Sequence, residues 1–281
     1  MATIERSETS SSGSRPVRRQ ATKGTFARIE RPLISVGAVL AVLLLWWAVT
    51  ALDLVKPLFM PEPGAVWDAF IRTLTDGYRG HSLLQHLSIS LQRVLIGFAI
   101  AVVIAVPLGV LAGVSRRLDA VLDPLITFYR VLPPLAYFSL LLIVLGIGEA
   151  SKVTLLLLAA FPPVFLAVVQ GVRSVAKGRI DAARSLGANR RQVMRYVILP
   201  SILPELFVGM RVSLGITYTT LVAAEMIAAQ MGIGWMVFDA KRYLQTDVVY
   251  LGIIIMGITG VVLDGIAKYA QRRIVPWQGK V

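Results

Sequence analysis

The sequence contains no cysteine and only two histidines, His81 and His86, and these shortages exclude several classes of site. Without cysteine there is no disulfide and no thiolate-bound metal. The spacing of the two histidines matches neither HExxH nor a zinc finger. The phosphate-binding pattern GxxxxGK[ST] does not occur, so the usual cradle for nucleotide hydrolysis is missing. A membrane-embedded enzyme is therefore disfavoured, and we expect this chain to bind no metal or cofactor.

Acidic residues are also scarce, with 16 Asp and Glu against 29 Lys and Arg, and the net charge is +13. On a soluble protein this imbalance would suggest a nucleic-acid partner. Here 56% of the residues are hydrophobic and many fall in long runs, which indicates a membrane protein. Because the positions of the basic residues explain the charge, as shown below, no nucleic-acid partner is expected.

Six apolar stretches are predicted to cross the bilayer. The first, 33–52, has 20 residues, which as a helix would span about 30 Å, and it is longer than a signal-peptide core. We interpret it as an uncleaved helix that follows a disordered basic head at 1–32. The remaining spans are predicted at 91–114, 120–145, 152–172, 203–228 and 248–269.

Prolines interrupt two of these spans, at Pro133-Pro134 and at Pro162-Pro163. Membrane helices tolerate proline when neighbouring helices satisfy the freed carbonyl groups. The sequence therefore predicts an all-α, polytopic helical bundle of six transmembrane helices that occupies residues 33–281. Gly109 and Gly113 form a GxxxG pattern, which allows two helices to approach closely.

The distribution of basic residues sets the predicted orientation. With six spans, both termini lie on one side, together with 20 of the 29 Lys and Arg residues, and six lie on the other side. Because cytoplasmic loops are enriched in Lys and Arg, both termini and the loop at 173–195 are expected in the cytoplasm. On the opposite side, apolar residues at helical spacing predict short amphipathic helices within 61–75 and 229–246.

The loop at 179–200, RIDAARSLGANRRQVMRYVILP, is polar and carries five arginines. We expect a helix to start near Asp181, where its negative charge suits the helix dipole. Gly187 permits a left-handed turn, residues 190–198 form a second helix, and Pro200 ends that helix or begins the next. Two interpretations remain open at this point: a docking element for another protein, or an ordinary loop whose arginines only set the topology.

The order Asp181-Ala182-Ala183, three residues, Gly187, nine residues and Val197-Ile198-Leu199-Pro200 resembles the EAA loop of bacterial ABC-importer permeases. Asp stands for the usual Glu, and Val for the usual Ile. Other segments resemble the sulfonate/nitrate/taurine group of that family, closest to the taurine permeases, and the likeness covers roughly 33–279. These segments are Phe128-Tyr129-Arg130 before the double proline, GIGEASK at 146–152, LVAAE at 221–225 and Pro276-Trp277.

The resemblance implies a type I importer permease in the bacterial inner membrane, with a cytoplasmic coupling loop at about 174–202. It implies a homodimer, two cytoplasmic ATP-binding subunits that use ATP and Mg, and a periplasmic substrate-binding protein. The substrate would be a small organic anion such as taurine or another sulfonate, with nitrate or a pyrimidine precursor as alternatives. The residues that the resemblance assigns to ATPase coupling are Asp181, Ala182, Ala183, Arg184, Gly187, Leu199 and Pro200.

Polar residues within the spans are candidates for the substrate pathway, because ionisable groups in a membrane usually face a bundle interior or a water-filled path. For Glu225 and Arg130, a structural ion pair or an interfacial anchor is the simpler alternative. Asp264 lies four residues before Lys268, which favours a local ion pair. The pathway candidates are Tyr129, Arg130, Tyr137, Tyr218, Thr219 and Glu225.

A secondary transporter or channel is the alternative function. It would need its own site for a coupling ion, and such proteins often contain internal repeats. The two halves of the sequence show no clear repeat, and the loop at 179–200 would have no role in such a protein.

Overall fold

The computed structural model describes residues 26–277, most of which are helical. In chain order the helices are α1 Phe26–Ala51, α2 Pro63–Thr75, α3 Leu83–Val114, α4 Arg116–Val131, α5 Pro134–Leu145, α6 Glu149–Ser174, α7 Lys177–Ser185, α8 Arg190–Gln192, α9 Leu199–Ala228, α10 Ile233–Arg242 and α11 Thr246–Ile274. A π-helical turn, Val193–Ile198, joins α8 to α9. The all-α prediction is confirmed for this part of the chain, where the one β pairing is a bridge between Tyr78 and His81.

Four continuous helical segments are long and apolar enough to cross a membrane, namely α3, α6, the segment from α8 through α9, and α11. Helix α1 contributes a shorter apolar stretch, Val36–Ala51, and α4 with α5 meet the same criteria as a bent pair. The polytopic helical bundle is thus confirmed. The number of six crossings and the side on which the termini lie stay predictions.

The third predicted span, 120–145, is not one straight crossing, because α4 and α5 meet at an angle of 98°. Leu132 has extended backbone and precedes Pro133-Pro134. A proline disfavours helical backbone in the residue before it, and two prolines remove two amide donors. The chain therefore leaves α4 at Leu132 and restarts as α5 with Pro134 in its first turn.

The first helix also differs from its predicted bounds. Helix α1 begins at Phe26, so residues 26–32 are helical and not part of a disordered head. The rest of that predicted head, 1–25, lies outside the described residues. Near its far end, the Trp46 indole donates to the carbonyl of Pro61 at 3.0 Å and stacks on Tyr250.

Helix α6 is the centre of the bundle, and most of its apolar stretch is buried. Gly109 and Gly113 of α3 face Val168 and Val172 of α6. A β-carbon added at Gly113 would lie only 2.6 Å from the Val172 Cβ atom, so the helices approach closely because these positions are glycine. The close approach that the GxxxG pattern allows is therefore present.

Helix α9 packs against the other side of α6. The Ser213 hydroxyl of α9 donates to the carbonyl of Ala160, just before the double proline of α6.

The bundle has two ends that differ in character. The cap end carries α2 and α10, which pack on α3 and α11, and both are helices that the sequence predicted. There Tyr78 and Arg79 donate to the same carboxylate, Asp239, at 2.9 and 3.0 Å. Burial and this hydrogen bond raise the pKa of Tyr78 to about 12, so its hydroxyl stays protonated and remains a donor at neutral pH. The loop end carries α7 and α8.

Candidate coupling loop and substrate pathway

The turn between α7 and α8 is a Schellman motif, and it explains the spacing of the coupling residues. The amide of Ala188 donates to the carbonyl of Ala183, and the amide of Gly187 donates to the carbonyl of Arg184. This pair of bonds ends a helix when the residue after the cap is left-handed, which favours glycine. Gly187 has a φ of +85°, as the sequence predicts. Ala183 and Ala188 both pack against the core, as is usual in this motif.

The start of α7 differs from the prediction. The helix begins at Lys177, so Asp181 lies in its second turn and not at its N-terminus. Because the helix dipole acts mainly on the first turn, it does not explain the aspartate. The Asp181 side chain is exposed, and no carboxylate occurs in the first turn of α7.

The second helix of the loop continues without a break into α9, as part of one long apolar helical segment. Asn189 caps it, since the Asn189 side-chain oxygen accepts from the backbone amide of Gln192 at 2.9 Å. In return, the Gln192 side-chain oxygen accepts from the backbone amide of Asn189 at 2.8 Å. The π-helical turn follows, in which the Leu199 amide bonds five residues back to Met194. Pro200 has no amide hydrogen, and a widened turn just before it accommodates the missing bond. Pro200 therefore lies in the first turn of α9, one of the two predicted outcomes.

The elbow of this loop presents an apolar side chain to its surroundings. Leu186 is 90% exposed, more than any other large apolar residue whose side chain the structure describes. Asp181, Ala182, Arg184 and Gly187 are exposed beside it, whereas Ala183 is half-buried. The predicted coupling residues thus separate into an outward-facing group around Leu186 and an inward-facing alanine that holds the turn. Leu199 and Pro200 lie farther along, where the chain enters α9.

Three of the predicted pathway residues line one cavity at the break between α4 and α5. The cavity has a volume of about 310 Å³ and is bounded by Tyr129, Arg130 and Tyr137 together with the double proline of α6 and Ile216 of α9. The Tyr129 hydroxyl donates to the Tyr137 hydroxyl at 2.9 Å. Because the 98° bend places these side chains around one space, the break between the two helices creates the cavity.

Two other pathway candidates lie elsewhere. Tyr218 faces α11, where its hydroxyl donates to the carbonyl of Met256 at 2.9 Å. Thr219 is exposed and donates to the carbonyl of Ile216 in its own helix. Neither residue lines the cavity at the helix break, which Ile216 reaches from the preceding turn of α9.

Glu225 is completely buried and belongs to a network of charges at the cap end. The Arg93 Nη1 atom donates to Glu225 at 2.7 Å, and the Ser90 hydroxyl donates to the same carboxylate at 2.8 Å. The amide of Gly234 adds a third donor at 2.9 Å. The ion-pair alternative for Glu225 is therefore what the structure contains, and the carboxylate has no surface open to a solute.

The network extends through Arg93 to two further residues. Arg93 makes a two-pronged contact with Glu149 at 2.7 and 2.6 Å and also donates to the carbonyl of Met231. Lys152 donates to Glu149 at 2.8 Å. Four charges of balanced sign thus join α3, α6 and α9 to the segment before α10. Sequence reasoning missed the Arg93–Glu149 pair, although both residues lie at ends of spans on the same predicted side.

The predicted pair between Asp264 and Lys268 is confirmed at 2.6 Å. Asp264 also accepts from Arg211 of α9 at 3.0 Å, so the same carboxylate joins two helices.

Comparisons with known proteins agree with this geometry. The family described as binding-protein-dependent transport system inner membrane component matches residues 105–276. The taurine transport system permease protein TauC of Escherichia coli (strain K12) is 44% identical over 249 residues, which cover 88% of this chain and 90% of that protein. The putative aliphatic sulfonates transport permease protein SsuC of Bacillus subtilis (strain 168) is 33% identical over 84% of each chain.

A solved structure also resembles the chain. An inward-facing MetNI methionine ABC transporter matches with a TM-score of 0.58 and 21% identity, over 69% of this chain and 94% of that chain. At this identity the likeness concerns the fold, and it confirms the predicted importer-permease fold class.

Proposed function

The chain belongs to the family of inner-membrane components of binding-protein-dependent transport systems, and on that basis we propose that two copies form the path of an ATP-driven importer for a small sulfonate. The observation that carries the coupling part of this proposal is the exposed elbow at Leu186 and Gly187. An isolated apolar side chain at the tip of a basic loop suits insertion into a groove of another protein.

The loop transmits force well because it is tied to the bundle at both ends. Ala183 and Ala188 pack on the core, and α8 runs through the π-helical turn into α9, which packs against the central helix α6. A partner that pushes on Leu186 would therefore move α9 as well as the loop. Two such loops, one from each copy, would let closure of two ATPase subunits change the access of the path.

ATP and Mg would be used by the partner subunits, because this chain has no phosphate-binding loop. The charge distribution supports a cytoplasmic position for the loop end. The cap end, with α2 and α10, would then face the periplasm and receive the substrate-binding protein.

The substrate assignment follows from the relatives. TauC is named for taurine transport and SsuC for aliphatic sulfonates, and each matches this chain over 84% or more of its length. Both substrates are small molecules with one sulfonate group. We therefore assign a small sulfonate to this chain, with taurine as the first compound to test.

Co-purification tests the docking site. Leu186→Asp places a charge at the elbow without touching the core, and it should abolish recovery of the ATPase with the permease. Gly178→Asp is the matched control, because it adds the same charge to the exposed opposite end of α7, where no atom lies within 4 Å of an added β-carbon. Equal recovery of the ATPase with both variants would exclude the elbow as the docking site.

A further inference from the structure

Arg130, in the last turn of α4, differs from three cations of the long helices in its surroundings. Arg93, Lys152 and Arg211 each lie within 3.0 Å of a carboxylate oxygen. For Arg130 the structure shows no ion pair with any residue whose side chain it describes. The Arg130 side chain is exposed, so its guanidinium is open to a ligand. Ionisable groups of membrane helices that have no protein partner often mark the path of an ion or solute.

The surroundings of Arg130 fit a small ligand. The residue borders the cavity of about 310 Å³ at the break between α4 and α5, which lies beside Pro162 and Pro163, halfway along α6. This volume is at the lower end of the range for ligand pockets, which starts at about 300 Å³. The cavity is therefore suited to a compound of a few heavy atoms.

We propose that this cavity is the subsite that binds the anionic group of the substrate during its passage, with Arg130 as the residue that recognises the sulfonate. This inference rests on the proposed function and adds the residue that confers selectivity for anions. A guanidinium donates two parallel hydrogen bonds to two oxygens of an oxyanion. Its charge balances the single negative charge of a sulfonate.

The tyrosine pair supplies the third contact. Tyr129 and Tyr137 share one hydrogen bond between their hydroxyl groups. Because Tyr129 donates in that bond, the hydrogen of the Tyr137 hydroxyl remains to donate to the third sulfonate oxygen. The apolar wall formed by Leu158, Ala159 and Ile216 would contact the short carbon chain.

Sulfonate uptake by the complete transporter in proteoliposomes tests this role. The expected result for Arg130→Gln is a Vmax lower by about tenfold or more, with an unchanged KM, because external capture belongs to the binding protein. Arg130→Lys keeps the charge but loses the two-pronged geometry, so its Vmax should be intermediate. Arg116→Gln, at the other end of α4, is the matched control and should transport like the wild type.

A second pair of variants leaves Arg130 in place. Ile216→Glu puts a carboxylate in the cavity wall, where it would neutralise Arg130, and Ile216→Gln differs from it only in charge. Loss of uptake with the glutamate and retention with the glutamine are expected. Equal uptake by these two variants, or wild-type uptake by Arg130→Gln, would overturn the proposal. Absence of ATP-driven sulfonate uptake by the wild-type complex would instead refute the proposed function.

Discussion

The guanidinium of Arg93 donates to the carboxylate of Glu225 at 2.7 Å, and both side chains are buried. The other two nitrogens of the guanidinium bind Glu149 at the start of α6. One arginine thus connects α3, α6 and α9 at the cap end. Since Glu225 also accepts from the amide of Gly234, the same network positions the start of α10.

Replacement of Arg93 by glutamine should destabilise the protein strongly. It leaves Glu225 buried without a cation, and removal of one partner from a buried pair costs about 3–5 kcal/mol. Thermal unfolding of the purified protein in detergent measures the change. Arg72→Gln is the matched control: it breaks an ion pair with Asp247 in which Arg72 is 61% exposed, so we expect a cost of less than about 1 kcal/mol. Similar losses for the two variants would show that the buried network does not hold the cap end.

Substitutions of glycine by alanine should change stability in opposite directions at two positions. At Gly113 a new β-carbon would lie 2.6 Å from the Val172 Cβ atom, which forces α3 away from α6, and such overpacking costs about 1–3 kcal/mol. At Gly257 of α11 nothing lies within 4 Å, and alanine should stabilise the helix by about 0.5–1 kcal/mol. The same unfolding experiment tests both. A Gly113→Ala variant as stable as Gly257→Ala would contradict the close packing of α3 on α6.

The helices and the turn at Gly187 could be predicted from sequence because their signals are local. Apolar runs, helical spacing in α2 and α10, and a glycine followed by Asn189 are each set by neighbouring residues. The bend of 98° between α4 and α5 could not be predicted in the same way. The prolines fix where the helix ends, but packing against α6 decides the direction in which the chain continues.

The charge network shows the same limit. An ion pair was one of the predicted roles of Glu225, but the sequence did not indicate which cation would be its partner. That partner, Arg93, lies 132 residues earlier in the chain. Only the packing of three helices brings the two residues together. The helix dipole explanation for Asp181 was wrong for a simpler reason, since α7 starts one turn before the position that the sequence pattern favoured.

Gly187→Trp should disrupt coupling while leaving the bundle intact. Its φ of +85° is unfavourable for a residue with a side chain, at a cost of about 1–2 kcal/mol, and the bulky ring would cover the elbow. Gly187→Asn is the control, because asparagine tolerates the left-handed conformation. We expect normal amounts of both variants in the membrane and loss of ATPase binding only with tryptophan. Undiminished ATPase activity in complexes of the tryptophan variant would argue against docking at the elbow.

The absence of cysteine makes the orientation easy to test. Thr75→Cys lies on the exposed surface at the cap end and Ser185→Cys at the loop end. The distribution of basic residues predicts that a membrane-impermeant maleimide labels residue 75 in intact spheroplasts, and labels residue 185 only after lysis. The reverse pattern would place the loop outside and remove it from any cytoplasmic ATPase.

ATP-driven uptake of taurine into proteoliposomes is the most direct measurement of the proposed function. The permease is reconstituted with its ATPase and its binding protein, and accumulation of labelled taurine is followed with and without each component. We predict uptake that requires ATP and all three proteins, and that is lost with Leu186→Asp. Uptake by the permease alone, driven by an ion gradient, or ATP hydrolysis by the purified chain would contradict this function.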